Sequence, residues 1–166
     1  ADSWDPYRYG PIQIHEYTHT VQPSPWIGGE FHPQGMANFT VPCWLTEGQA
    51  NFTGVSVWST DYDQYIALRT GAIFGHRPGN FGASSNDYSV ESIITYYENS
   101  VPGHCIGNDD YDLGYSIGLV TVEALSSIAG SDSSMFLYKS ISSGNTFEES
   151  FELIYGTSWG EAKPLL

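Results

Sequence analysis

His15-Glu16-Tyr17-Thr18-His19 sets two imidazoles four residues apart with a carboxylate between them. On a helix, residues four apart lie one turn apart on the same face. Both rings can then reach a single zinc ion at the ~2.0–2.1 Å that Zn–N bonds require. Glu16 projects about 100° round the helix from His15. It is turned off the ligand face but can reach a water held at the metal. Two ligands, one base and an open coordination position suit a hydrolase. The competing reading is a surface helix carrying two unrelated histidines.

A catalytic zinc takes three protein ligands and leaves the fourth position to water. Downstream lies Pro42-Cys43-Trp44-Leu45-Thr46-Glu47-Gly48-Gln49-Ala50-Asn51-Phe52. Glu47 follows His19 by 28 residues (47 − 19), enough for a loop and a return on a second helix. The other common solution is a third histidine, in His-Glu-x-x-His-x-x-Gly-x-x-His. Its Gly position is Gln22 here and its last His position is Pro25. That branch is excluded, and Glu47 is the expected third ligand. Cys43, one turn before Glu47, is placed to pack rather than to ligate.

The zinc motif followed by Trp44-Leu45-Thr46-Glu47-Gly48-Gln49-Ala50 resembles the gluzincin metallopeptidases, in which a pattern like Trp-Leu-x-Glu-Gly-x-Ala carries the third ligand. The resemblance implies His15, His19 and Glu47 as zinc ligands. It implies Glu16 as general base, taking a proton from a zinc-bound water and passing it to the leaving amine of a peptide or protein substrate. In one branch of the group, an acid four residues after the glutamate ligand orients the first histidine. That position is Asn51, whose amide oxygen can accept the same hydrogen bond without charge. Residues 115–125 with Gly130, and residues 147–159 ending Gly156-Thr157-Ser158-Trp159, resemble later parts of the same peptidases. Residues 12–160 are thus covered in outline. The group often places a Tyr or His on a later helix to donate to the oxyanion. Tyr115 matches that place, with Tyr111 as the alternative and an ordinary core aromatic as the bland reading.

Several helices must hold these groups. Pro11 suits the first turn of the His15–His19 helix. Gly28-Gly29 and His32-Pro33-Gln34-Gly35 mark the loop between the ligand helices. The Glu47 helix is expected to start after Pro42 and stop near Gly54. A short helix is expected from Asp61 to Leu68, and another from Ser89 to Glu98 on the spacing of Val90, Ile93, Ile94 and Tyr97. Leu113 to Ile128, ended by Gly130, reads as a core helix, and Ser131 to Ser142 as the next. Thr146-x-x-Glu149 is a capping box, and Gly156 sits where a C-terminal glycine belongs. Ser158 opens a last short helix. Trp44 and Tyr17 flank the metal residues and are expected to pack the two ligand helices together.

The expected fold is therefore mainly α, a zincin-like helical metallopeptidase lobe with little or no N-terminal sheet. Residues 1–166 fit one domain that buries roughly two-thirds of its unfolded surface. Gluzincins normally carry a sheet before the first zinc helix, and its edge strand aligns the substrate. Only 14 residues precede His15. The chain is accordingly expected to be the helical half of a longer precursor, a fragment, or a form whose N-terminal lobe comes from a partner chain. The alternative function is a secreted structural or binding module that keeps the metal without turnover. The intact Glu16 speaks against it, because a purely structural site has no use for a base.

A formal charge of −14, from 19 acids against 5 bases, argues against nucleic acid, which needs Lys and Arg to displace counterions. It argues equally against an anionic membrane surface. No run of 18 apolar residues exists to span a bilayer. Lysine is reduced to Lys139 and Lys163, a composition common in extracellular proteins. No signal peptide is visible, and Ala1 reads as the start of a processed or trimmed chain. Cys43 and Cys105 are expected to form one disulfide in an oxidising compartment. Asn38-Phe39-Thr40 and Asn51-Phe52-Thr53 are glycosylation sequons. Asn51 cannot both carry a sugar and support His15, and the buried role is the expected one. His32, in the loop between the ligand helices, is expected to be solvent-exposed, with contact to substrate or a transition state as the alternative, and His76 and His104 are expected to be structural or exposed. The acidic cluster Asn108, Asp109, Asp110 and Asp112 is expected to be solvated rather than a calcium site, because Gly114 falls at the wrong offset.

Overall fold

The computed structural model describes residues 6–22, 41–74, 89–100 and 111–166. The fold is mainly α, with no strand among these residues. The helices are α1 (Pro6–Val21), α2 (Cys43–Trp58), α3 (Tyr62–Phe74), α4 (Val90–Asn99), α5 (Tyr111–Ala129), α6 (Ser133–Ser142), α7 (Phe147–Tyr155) and α8 (Trp159–Ala162). A 3₁₀ turn over Lys163–Leu165 follows.

Local chemistry sets most of the ends. Ser89 accepts the Ser92 N–H at the start of α4. Thr146 with Glu149, and Ser158 with Glu161, close capping boxes on α7 and α8, each satisfying two otherwise orphaned donors. The α7 helix stops at Gly156, whose φ of 73° is left-handed, a conformation glycine adopts without a Cβ clash.

The α2 helix is the centre of the molecule. Every residue from Cys43 to Asn51 is buried. Its most extensive contacts are with α5, and the next with α1. Gly48 and Gly118 make the α2–α5 crossing possible. A Cβ on Gly48 would collide with the Gly118 carbonyl, and one on Gly118 with the Trp44 carbonyl. Above this crossing Trp44 stacks on Trp159, with centroids 4.9 Å apart and planes at 21°. Tyr97 and Phe147 meet Trp44 edge-on, an arrangement favoured by the ring quadrupoles. Leu45, Val122, Leu125, Leu137 and Phe151 complete this core. A second cluster of Val55, Leu68, Ile73 and Leu119 seats α3. There Arg69 Nε and the Tyr65 hydroxyl both donate to Glu123, each at 2.6 Å.

Several expectations are corrected. The α1 helix begins at Pro6, not Pro11; Pro6 takes the first helical position and Pro11 lies inside. The α2 helix runs through Gly54 to Trp58. Gly54 serves an approach rather than a stop, since a Cβ there would sit 2.6 Å from the Pro11 carbonyl oxygen of α1. The α3 helix continues past Leu68 to Phe74. Tyr17 is 69% exposed and does not pack the ligand helices together. Trp44 is fully buried, and its aromatic partners are Tyr97, Phe147 and Trp159, in a core against which Val21 of α1 also packs.

The glycine crossing yields a paired test. Gly118→Ala overpacks the α2–α5 contact and is expected to destabilise by about 1–3 kcal/mol in urea unfolding. Gly71→Ala, where a Cβ meets nothing within 4 Å, is expected to be neutral or to stabilise by about 0.5–1 kcal/mol. Equal effects at the two sites would refute the crossing as described.

Candidate metal centre

His15 and His19 stand one turn apart on α1, their ring planes at 89°. Glu47 comes across from α2. The two Nε2 atoms are 2.9 Å apart, and each lies 3.3 Å from Glu47 Oε2. Donors about 2.0–2.1 Å from a tetrahedral zinc lie roughly 3.3–3.4 Å from one another. The triangle therefore has nearly the size of one face of such a coordination shell.

The outer nitrogens decide what points inward. His15 Nδ1–H donates to Asn51 Oδ1 at 2.9 Å. The amide cannot be turned round, because Asn51 Nδ2 donates to the Tyr115 carbonyl at 3.1 Å. His19 Nδ1–H donates to Gln22 Oε1 at 3.0 Å, and Gln22 Nε2 donates to the Thr46 carbonyl at 2.9 Å. A neutral imidazole protonated at Nδ1 presents a bare lone pair at Nε2. Two lone pairs and a carboxylate thus converge in a space from which water is largely excluded.

The neighbouring polar side chains of α2 sharpen the point. Thr46 accepts from the Tyr138 hydroxyl, Gln49 is bonded to Gln22 and Ser134, and Asn51 is bonded as above. Glu47 is fully buried, yet neither of its oxygens accepts a hydrogen bond. At 3.3 Å neither Nε2 has a proton to give it while both ring protons remain on Nδ1. A buried carboxylate without compensation is very costly, so the arrangement calls for a cation between the three groups. Burial by itself would raise the Glu47 carboxyl, but hydrogen bonds and charge from the two rings, once protonated at the facing Nε2, outweigh it and hold the group down at about 2. Burial likewise opposes charge on His19, but the Glu47 carboxylate outweighs it and raises that ring. Without a metal, a proton fills the role. His15, His19 and Glu47 are a group that can hold a metal ion, and their donor set fits one.

Glu16 is exposed on α1, near enough for its charge to help raise His19. The Tyr115 ring lies nearly parallel to His15, with centroids 5.6 Å apart. Tyr111 begins α5, and its side chain lies outside the described residues. A cavity of about 350 Å³ adjoins His15 and Asn51, its other walls including Pro11, Ile12, Val55 and Leu68. Asn51 is 6% exposed and committed to His15, which leaves no room for a glycan on the second sequon. Cys43 is disulfide-bonded and therefore not a thiolate ligand. Its expected partner Cys105 lies outside the described residues, as do Asn38, His32, His76, His104, Asn108, Asp109, Asp110 and the Asp112 side chain. One participant was missed from sequence. Gln22 stands three residues after His19, a spacing that faces neighbours across one turn, but it registered only as a position lacking glycine.

Comparison with known proteins returns no match among family models, curated proteins or solved structures.

Metal and proton compete for the same lone pairs, which fixes the sign of a test. Binding is expected to release protons near neutral pH, and apparent affinity to weaken as pH falls. Calorimetry in buffers of different ionisation enthalpy measures this. A metal at a hundredfold excess over its Kd is expected to stabilise the fold by about 2.7 kcal/mol. For a chain of this size that raises the melting temperature by roughly 5–10 °C. No shift with any divalent metal would rule out the centre.

Proposed function

We propose that this chain is a zinc-dependent peptidase of the gluzincin type, and that its helices are a zincin-like catalytic lobe. The observation that carries the reading is Glu47. Its oxygens are buried without a donor, between two imidazole Nε2 atoms left bare because Asn51 and Gln22 accept hydrogen bonds from the Nδ1–H groups. A purely structural site has no use for the exposed carboxylate of Glu16 next to His15.

His15, His19 and Glu47 would hold the ion, which would supply a Lewis acid that lowers the pKa of water toward ~7. Two neutral nitrogens and one carboxylate suit zinc among the common divalent metals. Glu16, exposed at the rim, accepts the proton of the attacking water and later delivers it to the leaving amine. Tyr115, over the face of His15, is assigned to donate to the developing oxyanion, a contribution often worth ~3–4 kcal/mol. The disulfide at Cys43 supports an oxidising, extracellular setting.

The test is hydrolysis of casein or a fluorogenic peptide with and without a chelator. Activity is expected to vanish with chelator and return with zinc. Glu16→Gln is expected to retain metal and lose roughly 10²–10⁴-fold in turnover, while His19→Ala is expected to lose both. Unchanged hydrolysis in the Glu16 variant would remove the assigned base. Metal uptake with no turnover on any peptide would leave a binding module instead.

A further inference from the structure

Gln22 follows the last residue of α1, and its backbone N–H is held by the Thr18 carbonyl at 3.0 Å. Its side chain is almost fully buried. It touches both helices that carry the ligands. The amide oxygen accepts from His19 Nδ1–H on α1, and the amide nitrogen donates to the Thr46 carbonyl, the residue before Glu47 on α2. The same nitrogen donates to Gln49 Oε1 at 2.9 Å, and Gln49 Nε2 donates to Ser134 Oγ at 3.0 Å. The direction of the whole chain is fixed at one point. The Thr46 carbonyl can only accept, so Gln22 must present nitrogen to it and oxygen to His19. Gln49 must then present oxygen to Gln22 and nitrogen to Ser134, at the start of α6.

We propose that Gln22 is a positioning residue of the metal site, which locks His19 with its Nε2 lone pair toward Glu47 and is itself held in register by Gln49 and Ser134. The proposal rests on the metal-site reading above and adds to it a determinant that lies outside the ligand set. Loss of such outer partners commonly costs 10–100-fold in metal affinity. Gln22 does more than orient a ring, because it also ties the backbone beside Glu47 to the ring it faces.

The experiment compares Gln22→Met, which keeps the volume but removes the acceptor, with Gln22→Glu, which keeps the acceptor. Zinc affinity is measured by competition with a chromophoric chelator. The metal-free proteins are also examined by ¹⁵N NMR at alkaline pH. Wild type is expected to show His19 as the Nδ1–H tautomer alone. Gln22→Met is expected to show a tautomer mixture and a 10–100-fold weaker affinity, and Gln22→Glu to restore both toward wild type. A purely structural Gln22 predicts the reverse order, since Glu buries a charge against the Thr46 carbonyl and Gln49. Gln49→Met, which leaves Gln22 in place, is expected to shift both readouts in the same direction by a smaller factor; it keeps the question decidable should Gln22→Met fail to fold. Wild-type affinity and an unmixed tautomer in Gln22→Met would overturn the proposal. Absence of zinc binding by wild type would overturn the metal reading, while the tautomer measurement would still judge Gln22.

Discussion

The rest of the structure answers to one constraint: a carboxylate, Glu47, is sunk in the middle of the most buried helix and offered no hydrogen bond. Everything around it is arranged to make that tolerable only with positive charge present. The α1 helix supplies two imidazoles at the right spacing. Two amide oxygens accept hydrogen bonds from their outer N–H groups. Thr46, Gln49 and Asn51 on α2 have hydrogen-bond partners of their own, so none of the three is left to compensate the acid. A cation, whether proton or metal, is the remaining solution the geometry permits, and the local packing holds the three ligand atoms in place before it arrives.

That preorganisation depends on how closely the helices approach. Gly48 is adjacent to Glu47 in sequence and rests against Gly118, so the spacing of α2 and α5 is set one residue from the ligand. Gly54 does the same between α2 and α1. The aromatic cluster around Trp44 then clamps α2 from the side of α4, α7 and α8. Ligand geometry and core packing are consequently parts of a single arrangement. Interiors are close-packed and yield little, so a shift of α2 large enough to relieve Glu47 would have to disrupt both glycine contacts and the Trp44 stack.

Much of this was legible in the amino-acid sequence where the signal is local. The His15–His19 pair depends only on helical periodicity. The ends of α4, α7 and α8 depend on side chains three residues away, and the Ser89, Thr146 and Ser158 caps lie where their residue types placed them. Glu47 was found by counting ligands, then by its resemblance to a known pattern. What escaped was decided across space. Gly54 looked like a stop because glycine is a poor helix former, whereas its role is to admit a neighbouring carbonyl. Tyr17 looked like helix-packing material until the turn of α1 carried it to solvent. Gln22 carries no motif of its own. Its importance comes from Thr46 and Gln49, 24 and 27 residues away, and no periodicity joins them.

The burial of Asn51 has a bearing on how the chain must be produced. Asn51-Phe52-Thr53 is a legitimate acceptor while the polypeptide is still extended, and the folded helix withdraws it. In a eukaryotic secretory route, oligosaccharide transfer and collapse of α2 would run in competition. A molecule modified first could never seat that segment against α1 and α5. Yield from such a host would then report the speed of early collapse, whereas a bacterial host would be blind to it.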